Sequence, residues 1–237
     1  KYKVLAGPVS PPPLDADTTD WATIEPGAFW ATPLTDFMLR GEFQVPAGWD
    51  ADAPKALTLP IGDAKDFSHP EALAYLDGQP YASADRHHRE IMLPARVNDG
   101  QTHRLALHGW SGRGNYGRLQ MKECAVVQIH PPTRDLIAAA RVALDVTKQL
   151  DDSATAKDRL LNALDAAFVI LDTRDPLGSD AFYESVPAAL DALIRGIELA
   201  GAPMDVDIIG VGHAHIDVAW LWTLDQTVRK AGRTFSN

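Results

Sequence analysis

At Pro131-Pro132 the hydrophobic period of this chain changes. Before that point the signals are those of strands, with apolar residues at alternate positions. After it, apolar residues recur every third or fourth position. One face of a strand repeats every second residue, and one face of a helix about every 3.6 residues. No single layer satisfies both patterns. The chain is therefore expected to be an α+β multidomain protein, with a β unit first and a helical unit second.

Within the first unit, Phe37, Leu39, Gly41, Phe43 and Val45 alternate along one stretch. Asp77-Gly78 lies between ALAYL and QPYAS, and Asp99-Gly100 between RVN and QTHRLALHGW. Asp-Gly between apolar runs signals a hairpin, because glycine accepts the positive φ such turns need. Several short strands separated by turn residues predict a β-sandwich of jelly-roll or galactose-binding-like type over residues 21–130. The proline-rich start, with Pro8 and Pro11-Pro12-Pro13, predicts an extended arm over residues 1–20.

Three helices are expected over residues 131–203. The first is capped by Thr133 and carries Leu136, Ala140 and Leu144 on one face. A second begins near Thr155 and carries Leu160, Leu161, Leu164, Ala167 and Phe168. The third runs from about Asp180 to Ala200 and stops at Gly201 and Pro203. No heptad is sustained, so a helical hairpin or small bundle is expected instead of a coiled coil.

Residues 205–212, DVDIIGVG, form a short β-branched run bounded by Pro203 and glycines. They predict a strand buried on both faces, as in a parallel sheet covered by helices. GHAHID follows, and then Trp220, Leu224, Val228, Ala231 and Phe235 fall on one helical face. His213, His215 and Asp217 would thus project from one side of a strand end, just before a helix. Imidazole nitrogen and carboxylate oxygen both suit zinc, and α/β barrels gather their active sites at strand C-termini. A lone H-x-H is more often a packed or hydrogen-bonded pair than a ligand pair, but the added aspartate favours a metal site.

The longer stretch GHAHIDVAWLWTLDQTVRKAGRTFSN resembles the opening of the catalytic domain of glycoside hydrolase family 38, the α-mannosidases. Its H-x-H-x-D-x-x-W core matches densely over residues 208–236. Residues 1–205 resemble more loosely the β domain and helical connector of the cytosolic-type branch. The resemblance implies that residues 204–237 hold the first strand and helix of a catalytic α/β barrel. It also implies that His215 and Asp217 bind a Zn²⁺ or similar divalent ion, and that Trp220 lines a sugar subsite. His213 matches no ligand and would support the strand end from behind the ligands. The family's retaining chemistry needs a nucleophile and an acid/base that have no counterpart here. The resemblance therefore implies the N-terminal part of a longer enzyme acting on mannose-containing oligosaccharides, inactive as a fragment.

Composition agrees with a globular protein: 46% of the 237 residues are hydrophobic and 23% charged. The net charge of −10 argues against nucleic acid or anionic membrane as a partner. Cys124 is the sole cysteine, and the start has no apolar signal core, so a cytoplasmic protein is expected. Nothing in the pattern opposes a homo-oligomer. Other motifs carry less. Gly112-Arg-Gly114-Asn-Tyr-Gly117 precedes a strand-like run where a dinucleotide fingerprint must precede a helix. Asp85 with His87-His88 reads as a solvated loop, and Trp21, Trp30, Trp49 and Trp110 as core. Two alternatives remain: a carbohydrate-binding or interaction module, and an amidohydrolase-like H-x-H metal hydrolase.

Overall fold

The computed structural model describes residues 1–7, 13–62, 70–112, 119–175, 178–201, 206–213, 215–220 and 222–236. The chain is α+β with antiparallel sheets, and it divides into two compact units: Lys1–Ile129 with Gly212–Asn237, and His130–Val211.

In the first unit, β1 (Tyr2–Leu5), β3 (Asp36–Gln44), β5 (Glu71–Leu76), β6 (Gln79–Ala84) and β8 (Thr102–Trp110) form one antiparallel sheet, in the order β1-β3-β8-β5-β6. A smaller sheet has the order β10-β4-β7, from β4 (Lys55–Thr58), β7 (Glu90–Met92) and β10 (Ala125–Gln128). The short β2 (Phe29–Trp30) pairs with β9 (Leu119–Gln120). One core joins all three sheets. It takes Phe37, Leu39 and Leu107 from the first, Leu57 and Ile91 from the second, and Trp30 and Leu119 from the third. The Trp30 indole N–H donates to the Ile61 carbonyl at 2.8 Å, and its ring meets Phe37 edge-on at 4.9 Å. Trp21, Trp30 and Trp110 are buried, and Trp49 packs on a satellite of this core.

β3 does not follow simple alternation. Asp36, Phe37, Met38 and Leu39 are all buried. The inner face meets the core, while Met38 on the outer face lies under Leu5 and Trp21. β8 passes through the sheet's centre at Gly109, where a Cβ would come within 2.5 Å of the Glu71 carbonyl oxygen. Only glycine permits that approach.

Asp77 and Gly78 both have positive φ, 51° and 83°, and join β5 to β6 in the twist a two-residue hairpin needs. The other Asp-Gly pair does not make a hairpin. The residues before Asp99 form a short 3-10 turn, Ala95–Val97, and β8 pairs with β3 and β5. Gly100 still takes a positive φ of 73°, so the turn chemistry is present while distant pairing partners decide the topology. Within the stretch expected as an arm, Tyr2–Leu5 pairs with Leu39 to Asp36, closing the open edge of β3.

The second unit packs α1 (Pro131–Gln149), α2 (Thr155–Ile170) and α3 (Asp180–Ala200) around Leu136, Ala143, Leu160, Leu164, Val186 and Leu193. Thr133 is inside α1, not its cap; the helix opens on the proline pair, whose missing N–H groups need no partner there. Leu144, Leu161 and Phe168 face outward, so the buried stripe is narrower than their spacing suggests. The Ser179 hydroxyl accepts from the Phe182 N–H at the start of α3, and Gly201 ends it at φ 75°.

The buried strand expected over residues 205–212 is not formed. Residue 205 lies outside the described residues, and Ile208 and Ile209 are each 88% exposed. A strand buried on both faces needs neighbours on both sides, and none pairs with this segment among the described residues. The last helix, α4 (Leu224–Thr234), begins after Trp220, and Leu224 and Val228 point to solvent. Its polar side is the one that packs, burying Gln226 and Arg233.

Candidate functional site

Residues 213, 215–220 and 222 lead into α4 without regular secondary structure, with bends at 218–220 and 222; Ala214 and Leu221 lie outside the described residues. Even without a paired strand, alternate side chains share a side. The rings of His213 and His215 lie near parallel, 6.0 Å apart. His215 Nε2 is 2.9 Å from Asp217 Oδ1, and both side chains are open to solvent. Nitrogen and oxygen donors thus meet at one point.

The chain then turns sharply. Ala219 has a φ of 51°, costly for a residue with a Cβ, and its N–H donates to the Thr227 hydroxyl. Trp220 and Trp222 meet edge to face at 5.6 Å. The Trp222 indole N–H reaches the Asp217 carbonyl at 3.2 Å and the Thr227 hydroxyl at 3.1 Å. Thr223 caps α4 by accepting from the Gln226 N–H. The Lys230 ammonium sits 4.1 Å over the Trp222 ring, a cation–π contact. The C-terminal helix therefore grips the backbone of Asp217 through one tryptophan.

A cleft of about 320 Å³ opens beside this segment, lined among others by His215, Asp217, Trp222, Glu71, Asp85 and His88. Trp222, not Trp220, faces this cleft, and His213 is not among its lining residues. Asp85 and His88 sit opposite the motif although they are far from it in sequence. Burial pushes the Asp85 carboxyl up. Hydrogen bonds from the His88 ring and from the His88 and His87 N–H groups outweigh this and hold it below its usual value. The sequence shows only a polar loop at 85–88; no local signal places it beside residue 215. The glycines at 114 and 117 lie outside the described residues.

His215 and Asp217 fit a divalent ion in donor type and closeness. Among the described residues, however, no three His, Cys, Asp or Glu side chains cluster as a metal centre requires. Two donors are gathered, and the remaining ligands are not supplied by these residues. No described helix is long and apolar enough to cross a membrane.

Residues 205–237 match the family described as glycosyl hydrolases family 38 N-terminal domain. The chain is 26% identical over 183 residues to Alpha-mannosidase 2C1 of Mus musculus, and 24% identical over 182 residues to Alpha-mannosidase 2C1 of Homo sapiens. Each alignment covers 70% of this chain and 17% of the relative, so the chain spans less than a fifth of either mannosidase. A solved structure of CBM51-2 in complex with GlcNAc and INT domains from Clostridium perfringens ZmpB aligns over 70% of this chain and 36% of its own, at 16% identity. Its TM-score of 0.22 bears on neither fold nor function. The chain is thus similar to the family 38 glycosyl hydrolases through residues 205–237, and to these α-mannosidases over 70% of its length.

Proposed function

We propose that this chain is the N-terminal part of a metal-dependent, retaining α-mannosidase acting on mannose-containing oligosaccharides. The observation that carries the reading is the family match over residues 205–237, within which His215 Nε2 and Asp217 Oδ1 converge to 2.9 Å. The His215–Asp217 pair would hold a zinc or similar divalent ion, with further ligands from the rest of the enzyme. Bound there, the ion would supply fixed positive charge to orient sugar hydroxyls. His213, stacked beside His215, supports the ligand ring without touching the ion. Trp220 offers an aromatic face to the apolar C–H side of a pyranose, and Trp222 anchors the Asp217 backbone. The β unit and the helical unit precede the catalytic domain, as their resemblance to the cytosolic-type branch implies.

The test compares the complete enzyme with the 237-residue chain on an aryl α-mannoside. The complete enzyme hydrolyses it with retained anomeric configuration: one carboxylate displaces the leaving group, which the acid/base about 5–5.5 Å away protonates, and water deprotonated by that same group then displaces the carboxylate, so two inversions at one carbon cancel. The 237-residue chain does not turn it over. Turnover by the short chain alone, or inversion by the complete enzyme, would overturn the proposal.

A further inference from the structure

The sheet face beneath α4 carries two acidic side chains at equivalent heights. Asp36 opens β3 and Glu71 opens β5, and both stand in register with Trp110 of the strand between them. They are 7% and 8% exposed. A buried carboxylate is unfavourable unless charged hydrogen-bond donors meet it. α4 brings those donors. Arg229 Nη1 lies 2.5 Å from Asp36 Oδ1, and Gln226 Nε2 lies 3.1 Å from the same oxygen. Arg233 Nη2 is 2.7 Å from Glu71 Oε2, and the Lys230 ammonium bonds Glu71 Oε1. Residues 226, 229, 230 and 233 share one helical face, so each carboxylate receives two donors from a single stripe. This stripe turns Leu224 and Val228 outward: charge, not hydrophobicity, selects the docked side.

Lys230 serves both ends of a chain of contacts. It bonds Glu71 below and covers the Trp222 ring above, while Trp222 donates to the Asp217 carbonyl. We propose that Asp36 and Glu71 are positioning residues: the β unit uses them to dock the stripe Gln226, Arg229, Lys230 and Arg233, and so holds the segment carrying His215 and Asp217. The β unit is then part of that segment's scaffold and not an independent module. This inference does not rest on the mannosidase reading, since it concerns how the segment is held and not what it does.

The test uses hydrogen exchange on the 237-residue chain, with the fluorine resonance of 5-fluorotryptophan at position 222, assigned through Trp222→Phe. In the Asp36→Asn/Glu71→Gln double variant, amides of residues 224–234 should lose at least ten-fold protection. The Trp222 resonance should move to its solvent-exposed position, while β3 and β8 keep their protection. Unchanged exchange over 224–234 with an unchanged Trp222 resonance would overturn the proposal. If the double variant loses protection in β3 and β8 as well, the exchanged pair decides. Glu71→Lys should free α4, and Glu71→Lys with Arg233→Glu should restore at least part of its protection. No recovery would also overturn the proposal.

Discussion

Helices α2 and α3 come into close contact at Gly196. A Cβ placed there would lie 2.3 Å from the Ala163 Cβ and 3.1 Å from its Cα. Carbon atoms in ordinary contact are about 3.5–4.0 Å apart, so Gly196→Ala drives two methyl groups more than 1 Å into each other. Neither alanine has a rotamer to change, so the helices themselves must separate. Overpacking of this kind costs about 1–3 kcal/mol, and the upper end applies where backbone must move. Glycine-to-alanine in a helix interior returns about 1 kcal/mol of propensity. The balance is a loss of about 2 kcal/mol, close to a thirty-fold change in the opening equilibrium. Hydrogen exchange of the protected amides of α2 and α3 reads that change directly, without assuming that the two units unfold together. Adding Ala163→Gly moves the methyl from one helix to the other and exchanges the propensities evenly. The double variant should therefore return to within about 1 kcal/mol of the parent. If Gly196→Ala instead raised protection in α3, the helices would not be in contact at this point, and the packing argument would fail.

Two further outcomes concern pH. Burial pulls the His103 imidazole down, but hydrogen bonds to Asp77 and Asp99 prevail and raise it above its ordinary value. Its stabilising contribution is complete below the unfolded value near 6.5 and fades as pH rises through the raised folded value. The stability advantage of the parent over His103→Asn, measured by urea denaturation at pH 5.5 and 9, should shrink at the higher pH. His108 behaves oppositely: burial first, then Arg229 and Arg233, hold it below its ordinary value against the pull of Asp36. Its Nε2 is buried without a hydrogen-bond partner among the described residues. The unfolded chain takes up that proton first, so stability should fall as pH drops below about 6.5, and His108→Phe should flatten that part of the profile.

Local chemistry was legible where neighbours in sequence decide the outcome. Asp77-Gly78 makes its hairpin because the two positive φ values are set within the turn itself. The side-by-side placement of His213, His215 and Asp217 needs only an extended backbone. The rest depends on what the tertiary structure places opposite. Asp99-Gly100 keeps its glycine conformation, yet β8 pairs elsewhere. Tyr2–Leu5 looks like part of a proline-rich arm until the edge of β3 is known. α4 reads as an amphipathic helix with one apolar face, but the sheet beneath presents Asp36 and Glu71, and so the cationic face docks. The pairing of Asp85 and His88 with the cleft at His215 joins segments about 130 residues apart, and neither carries a local mark of the other.

The central claim, that His215 and Asp217 are metal ligands of an α-mannosidase, is tested most directly by metal content. The measurement is elemental analysis of the complete enzyme beside its rate on an aryl α-mannoside, for the parent and three variants. His215→Ala and Asp217→Ala should each lose both metal and turnover, because each removes a donor from a site with few. His213→Ala should keep the metal at saturating concentration and weaken its affinity by roughly 10–100-fold, as loss of a supporting neighbour does. An Asp217→Ala enzyme with full metal and near-normal turnover would contradict the assignment, and His215 and Asp217 would then be a solvent-facing hydrogen-bonded pair.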